Sequence, residues 1–331
     1  IKTTDFNTSG NNKYCVGIVA GKASGFINNV TVNGEINVDG LSYNGVAIGG
    51  LVGLANGTIA DCNCDVQINI MHVYSDRLNY PFAFGGMIGV CDSAFIRECN
   101  VVGQINVTEC YWLESEDSSI NQSTQLIVGG MVGYYVVDRQ ISTYIRDCRT
   151  EMEIYGDNHY EAGGFIGHIS VYKEASLNIV NSSVHGDIKI GTAGGFICNG
   201  FSYGELIIKD CFVENSVTAY LQAAGFIKSF IGSNNCLLSN CYSNSKLVTH
   251  KVGNPDITVG VAGGFSYQVS GTNFENCYSI FDINTLRGSG FAYSLNGCNL
   301  YMCYSEGNFN LFTTKLNGLF TSALTSTNLR D

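Results

Sequence analysis

The chain is poor in charge: Asp, Glu, Lys and Arg make up 14% of 331 residues, about half the usual share. The 17 basic residues are scattered and the net charge is −11, so the clustered Lys and Arg that phosphate contacts need are missing and nucleic-acid binding is excluded. No apolar run reaches the ~18 residues of a membrane-spanning helix, and no membrane insertion is expected. The chain has no H-E-x-x-H and no P-loop, and a G-x-S-x-G string occurs once, at 200–204. Its five histidines stand at unrelated positions, and no cofactor is expected. It opens at Ile1 without methionine or leader, which reads as a processed product or a fragment. Proline occurs only twice.

What is present is glycine, 40 residues, and asparagine, 34, beside abundant Ile, Val, Phe and Tyr. That mixture suits short strands joined by tight turns and does not suit disorder. The stretch "GGLVGLANGTIADCNCDVQINI" (49–70) returns as "GGMIGVCDSAFIRECNVVGQINV" (85–107) and then in weaker copies. Aligned on the second glycine, the copies fall at Gly17, Gly50, Gly86, Gly130, Gly164, Gly195, Gly225, Gly264, Gly290 and Gly318, at spacings of 26 to 44 residues. A fixed unit with variable insertions is the mark of a repeat array, in which each unit buries its apolar face against its neighbours. Each unit holds a Gly-Gly-apolar segment, a short strand such as "IRDCRT" (145–150) and an alternating strand such as "GQINV" (103–107). No stretch has sustained helical periodicity. The reading is all-β: one parallel β-helix (β-solenoid) domain over 1–331, about ten rungs, right-handed, with three short strands per rung. Residues 1–13 form a polar lead-in and 314–331 an incomplete last repeat. A glycine once per rung implies a corner needing both positive φ and close backbone approach.

Gly50-Leu51-Val52-Gly53 and Gly86-Met87-Ile88-Gly89 resemble the core of the GLUG-motif repeat, and the resemblance runs from residue 14 to about 320. It implies a large secreted or cell-surface chain, adhesin-like, without shared catalytic residues. The third glycine departs to Cys198, Lys228, Tyr267 and Tyr293 in later copies, where the resemblance does not extend to the local backbone.

Stacking the copies ~4.8 Å apart predicts columns. Leu51, Met87, Met131, Phe165, Phe196, Phe226, Phe265 and Phe291 form a core ladder. A second column, Val30, Cys62, Cys99, Cys148, Ser182, Cys211, Cys241, Cys277 and Cys303, places seven of the 14 cysteines in one slot. A line is not the convergent set a metal needs, and direct stacking rarely gives a disulfide dihedral, so buried reduced thiols are expected. Cys236 with Cys241 and Cys298 with Cys303 share a spacing that would allow bridges within a rung. The residues before the slot, Asn29, Asp61, Glu98, Asp147, Asn181, Asp210, Asn240 and Asn276, are expected to stack amides or cap a turn. Asp61, Glu98 and Asp147 could alternatively hold Ca²⁺.

The column after the slot points outward and ends in Phe212, Tyr242, Tyr278 and Tyr304, an aromatic stripe roughly 14 Å long from three ~4.8 Å steps. Contiguous exposed aromatics mark interaction surfaces, although tyrosine also simply favours strands. Long insertions at 71–82 and 108–125 should lie side by side. They carry Tyr74, Tyr80, Tyr111 and Trp112, a second candidate platform. Asp157, His159 and Glu161 are close in sequence, but a turn accounts for them. Three function classes follow. The first is a non-enzymatic extracellular structural or adhesive protein at the cell surface, self-associating end to end or laterally, or binding a host protein or glycan. The second is a polysaccharide-active β-helix enzyme, which needs carboxylates and bases gathered in a cleft. The third is a passive spacer in a larger surface protein.

Overall fold

The computed structural model describes residues 2–4, 14–39, 45–72, 74–75, 82–109, 111–112, 126–157, 160–249, 260–311, 320–325 and 327–330. Every pairing among them is parallel, and the strands form two broad sheets and one small two-stranded ribbon. The chain is a solenoid-like all-β structure, as the alternation and repeat length predict.

Each unit contains four strand segments, not three. In one unit these are Val46–Gly49, Val52–Ala55, Thr58–Ala60 and Asn63–Met71. We call them the pre-glycine, post-glycine, short and long strands. Pre-glycine and long strands belong to one sheet, post-glycine and short strands to the other. The extra segment is invisible to a period-two search because it is buried on both faces. Val46, Ala47, Ile48 and Gly49 are all buried, and the outward Ala47 and Ala83 pack with Val90, Leu54 and Tyr134 in a small apolar cluster outside the main core. The long strands show the expected alternation: Cys64, Val66, Ile68 and Ile70 point in, and the residues between them face out or lie part-buried. The longest insertions enter between a long strand and the next pre-glycine strand, and shorter ones between a post-glycine and a short strand, as at 138–141 and 172–175. Where the first junction has none, the long and pre-glycine strands fuse, as in Ile188–Gly194 and Phe212–Ala224.

The core ladder is as predicted. Leu51, Met87, Met131 and the phenylalanines from Phe165 to Phe291 have no exposed surface. The rings stack 4.7 to 5.0 Å apart with interplanar angles of 6–9°. Phe320 continues this stack at 4.9 Å, so the ladder passes through Phe320, one residue later than the alignment on the glycine gives. The first copy shifts likewise: Val16 pairs with Ile48, which sets Gly17 opposite Gly49 and Ile18 opposite Gly50. Both copies carry a single glycine, which leaves the alignment one residue of freedom.

The two corners solve different problems. At the Gly-Gly corner no glycine of the pair has positive φ. The reason for glycine there is crowding: a Cβ on Gly130 would lie 1.9 Å from the Gly164 carbonyl oxygen, and one on Gly164 2.1 Å from that of Gly195. Positive φ is instead concentrated at the other corner and carried by L residues. Asn29, Asp61, Glu98, Asp147, Asn181, Asp210, Asn240, Asn276 and Met302 all have φ between 49° and 56°. Their amides donate to the next layer, as Asp61 N–H does to the Arg97 carbonyl (3.1 Å).

The cysteine slot belongs to this second corner. The thiol of Cys62 donates to the Ala60 carbonyl across left-handed Asp61 (3.1 Å), and Cys99, Cys148, Cys211, Cys241, Cys277 and Cys303 repeat the bond at 3.1 to 3.4 Å. Ser182 makes it with its hydroxyl to Val180 (3.0 Å). A small buried donor is what the slot selects. All described cysteines are free thiols, and the bridges allowed by spacing do not form. Cys241 and Cys303 are held at this corner, whereas Cys236 faces the core on a short strand and Cys298 closes a different left-handed corner, at Gly297, through the Asn296 carbonyl.

Candidate functional site

The aromatic stripe exists as drawn from the alignment. Phe212, Tyr242, Tyr278 and Tyr304 occupy one register column at the start of successive long strands. Their rings stack at 5.1, 5.0 and 4.9 Å with interplanar angles of 4–6°. His185 closes the stack edge-on against Phe212 at 5.5 Å. Tyr304 is 50% exposed, and the others are half-buried. Tyr242 donates to Glu214 Oε1 at 3.2 Å, and burial followed by the Glu214 charge pushes its phenol up to about 12. Because the rings lie nearly face to face, the stripe presents edges and hydroxyls outward and keeps its faces within the stack, apart from the outer face of the end ring, Tyr304.

The two insertions do lie together. Tyr74–Ser75 and Tyr111–Trp112 pair as parallel strands, Tyr74 opposite Tyr111 and Ser75 opposite Trp112. Tyr80 lies outside the described residues. At the root of these insertions His72 bridges two carboxylates, Nδ1 to Asp39 and Nε2 to Glu109, both at 2.7 Å. The Glu109 amide donates to Asp157 (3.1 Å), so Asp157 takes part in this strap. The two carboxylates, Asp39 first, hold the imidazole above its ordinary pKa. His159 lies outside the described residues.

The acidic run before the cysteine slot is neutralised by its own neighbours. Arg97 sits between Asp61 (3.8 Å) and Glu98 (2.9 Å), and Arg146 beside Asp147 (3.9 Å). Farther along, amides take over: Asn181 donates to Asp147, Asn240 to Asp210 and Asn276 to Asn240, at 2.7 to 2.9 Å. No group of three or more metal-ligating side chains converges among the described residues.

A second cluster was not singled out from sequence. It lies where the third glycine is replaced. The register runs unbroken through these positions, Ile197 to Ile227 to Ser266 to Ala292, so the larger residues leave the strand pairing intact. Lys228, in the glycine's place, is only 7% exposed. Its ammonium donates to Asn199 Oδ1 (2.8 Å) and Glu161 Oε1 (3.3 Å), while the Asn199 amide bonds the other Glu161 oxygen. Burial opposes its charge, but the neighbouring Cys198 and Glu161 outweigh this and hold Lys228 above its ordinary pKa. His168 stands one layer from Asn199 in the same column. Burial, helped by the Lys228 charge, lowers its pKa to about 4, and its Nδ1 has no hydrogen-bond partner. The His168 ring meets Tyr134 at 5.1 Å and Phe201 at 6.3 Å, and Phe201 meets Tyr172 at 5.7 Å and Tyr203 at 5.2 Å. Lys228 at a glycine position was the available signal. Its partner Glu161 is 67 residues away, two layers distant, which no local motif reveals.

No family model, curated protein or solved structure matches this chain.

Proposed function

We propose that this chain is a non-enzymatic structural or adhesive solenoid of the cell surface or extracellular space, a right-handed coil of about ten rungs related to the GLUG-motif repeats. Its partners are further copies of itself, end to end or side by side, or a host protein or glycan. The observation that carries this reading is the outward Phe212–Tyr242–Tyr278–Tyr304 stack, an ordered row repeating every 4.9 to 5.1 Å. A surface with the period of the backbone supports binding to something extended, because each rung offers the same contact again. Negative-stain microscopy with sedimentation of the purified chain tests it. Filaments or lateral rafts that dissolve on Tyr278→Ala substitution are the expected outcome. Defined cleavage of a polysaccharide by the pure protein would overturn the reading in favour of a β-helix lyase or hydrolase.

A further inference from the structure

We infer that the aromatic cluster around Phe201, together with the Glu161–Asn199–Lys228 triad beside it, is a binding site for an uncharged pyranose glycan. The inference rests on the adhesive reading above and gives it a location other than the tyrosine stripe.

The first argument is ring orientation. A sugar packs its C–H face against the face of an aromatic ring, so an accessible face is needed. The tyrosine stripe hides all its faces but the outer one of Tyr304, with interplanar angles of 4–6°. The second cluster is built the other way. Tyr134 meets His168 at 73°, Tyr172 meets Phe201 at 80°, and Tyr203 is tilted 39° from Phe201. Rings set at angles to one another cannot all cover each other's faces. Tyr203 is 61% exposed and Tyr172 37%, with Ile231 58% exposed one layer on from Phe201.

The second argument is preorganisation. Tyr172 and Tyr203 sit on turns whose amides are tied to the layer below, to the Val137 carbonyl (3.0 Å) and the Val171 carbonyl (2.9 Å). The Ser202 hydroxyl closes the turn around Tyr203 by donating to the Gly204 carbonyl (3.1 Å). Rings held on a fixed backbone lose little freedom on binding.

The third argument is charge. The triad joins the rings through His168, and its formal charges cancel, one ammonium against one carboxylate. An ammonium has three donors, and Asn199 and Glu161 engage two, leaving one for a ligand hydroxyl. Glu161 is 31% exposed and offers acceptors at the same edge. Donors and acceptors beside ring faces, with no net charge, match the hydroxyls and apolar face of a neutral sugar. An acidic sugar would meet Glu161 and a chain with net charge −11.

The test is calorimetric titration of the full chain with three probes: cellohexaose, maltohexaose and hexagalacturonate. Saturable binding of at least one neutral hexasaccharide is expected, weakened about tenfold or more by Tyr203→Ala and unchanged by Tyr301→Ala, an exposed ring on a short strand outside both clusters. The exposed Tyr203 position keeps the variant folded, and circular dichroism checks this. Three results would overturn the site: no saturation by either neutral sugar up to about 10 mM, binding indifferent to Tyr203→Ala, or a preference for hexagalacturonate. If the parent ignores all sugars yet forms the Tyr278-dependent filaments described above, this site fails and the structural reading stands.

Discussion

A left-handed corner costs an L residue about 1–2 kcal/mol, least for Asn and Asp, whose short polar side chains find local partners. This chain places such a residue at the same corner in successive units and compensates with a ladder of side-chain bonds. Asn240 both donates to Asp210 and accepts from Asn276. Replacing it with alanine keeps the strain and removes both bonds, so Asn240→Ala should lower stability by about 1–2 kcal/mol in urea unfolding. Asn240→Gly removes the strain as well as the bonds and should lie closer to the parent. At the neighbouring slot, Cys241→Ser should be tolerated, since Ser182 already makes the same bond two corners away. His168 gives a pH dependence with a definite sign. Its folded pKa of about 4 lies below the ordinary 6.5, so the unfolded chain binds the extra proton between these values. Its contribution is complete above pH 6.5 and declines as pH falls toward 4, by an amount on the order of 3 kcal/mol. His168→Phe, set among Tyr134 and Phe201, should flatten the stability profile in that window when unfolding is followed across pH.

Among the elements, the Gly-Gly corner is the least forgiving. Gly130→Ala drives a methyl into the Gly164 carbonyl, with no side chain to yield, and a loss of about 3–5 kcal/mol is expected in thermal or urea unfolding. Gly25→Ala, with nothing within 4 Å, should leave stability unchanged or slightly raised. These elements also mark what was legible in the sequence. The long strands announced themselves because Val66, Ile68 and Ile70 alternate with outward residues. The Phe and Cys columns followed from aligning them. The pre-glycine strand was hidden because Val46, Ala47 and Ile48 are buried whichever way they point. The role of glycine was half legible: close approach is real, but positive φ belongs to Asp61 and its equivalents. The stripe was legible since each ring recurs at one repeat position. Tyr172 and Tyr203 were not, because they stand on turns between columns, and Lys228 finds Glu161 only across two layers.

Across the whole molecule, stability is close to one-dimensional, since each layer touches chiefly its two neighbours. A lesion should therefore stay local. In hydrogen exchange, Gly130→Ala is expected to strip protection from the layers around 83–165 while the long strands Tyr242–Thr249 and Tyr278–Thr285 remain protected. Loss of protection throughout would mean that the stack melts as one unit.

The left-handed corner has a consequence for how such a chain changes over generations. Every unit leaves that corner with nearly the same backbone geometry, and the insertions enter elsewhere in the unit. A segment cut from one corner to the next and removed, or copied in tandem, would bring matching ends together. The thiol and aromatic columns would close over the join. Unequal recombination within the coding sequence would thus change the number of units in whole steps, and length would become a trait that selection can adjust one rung at a time.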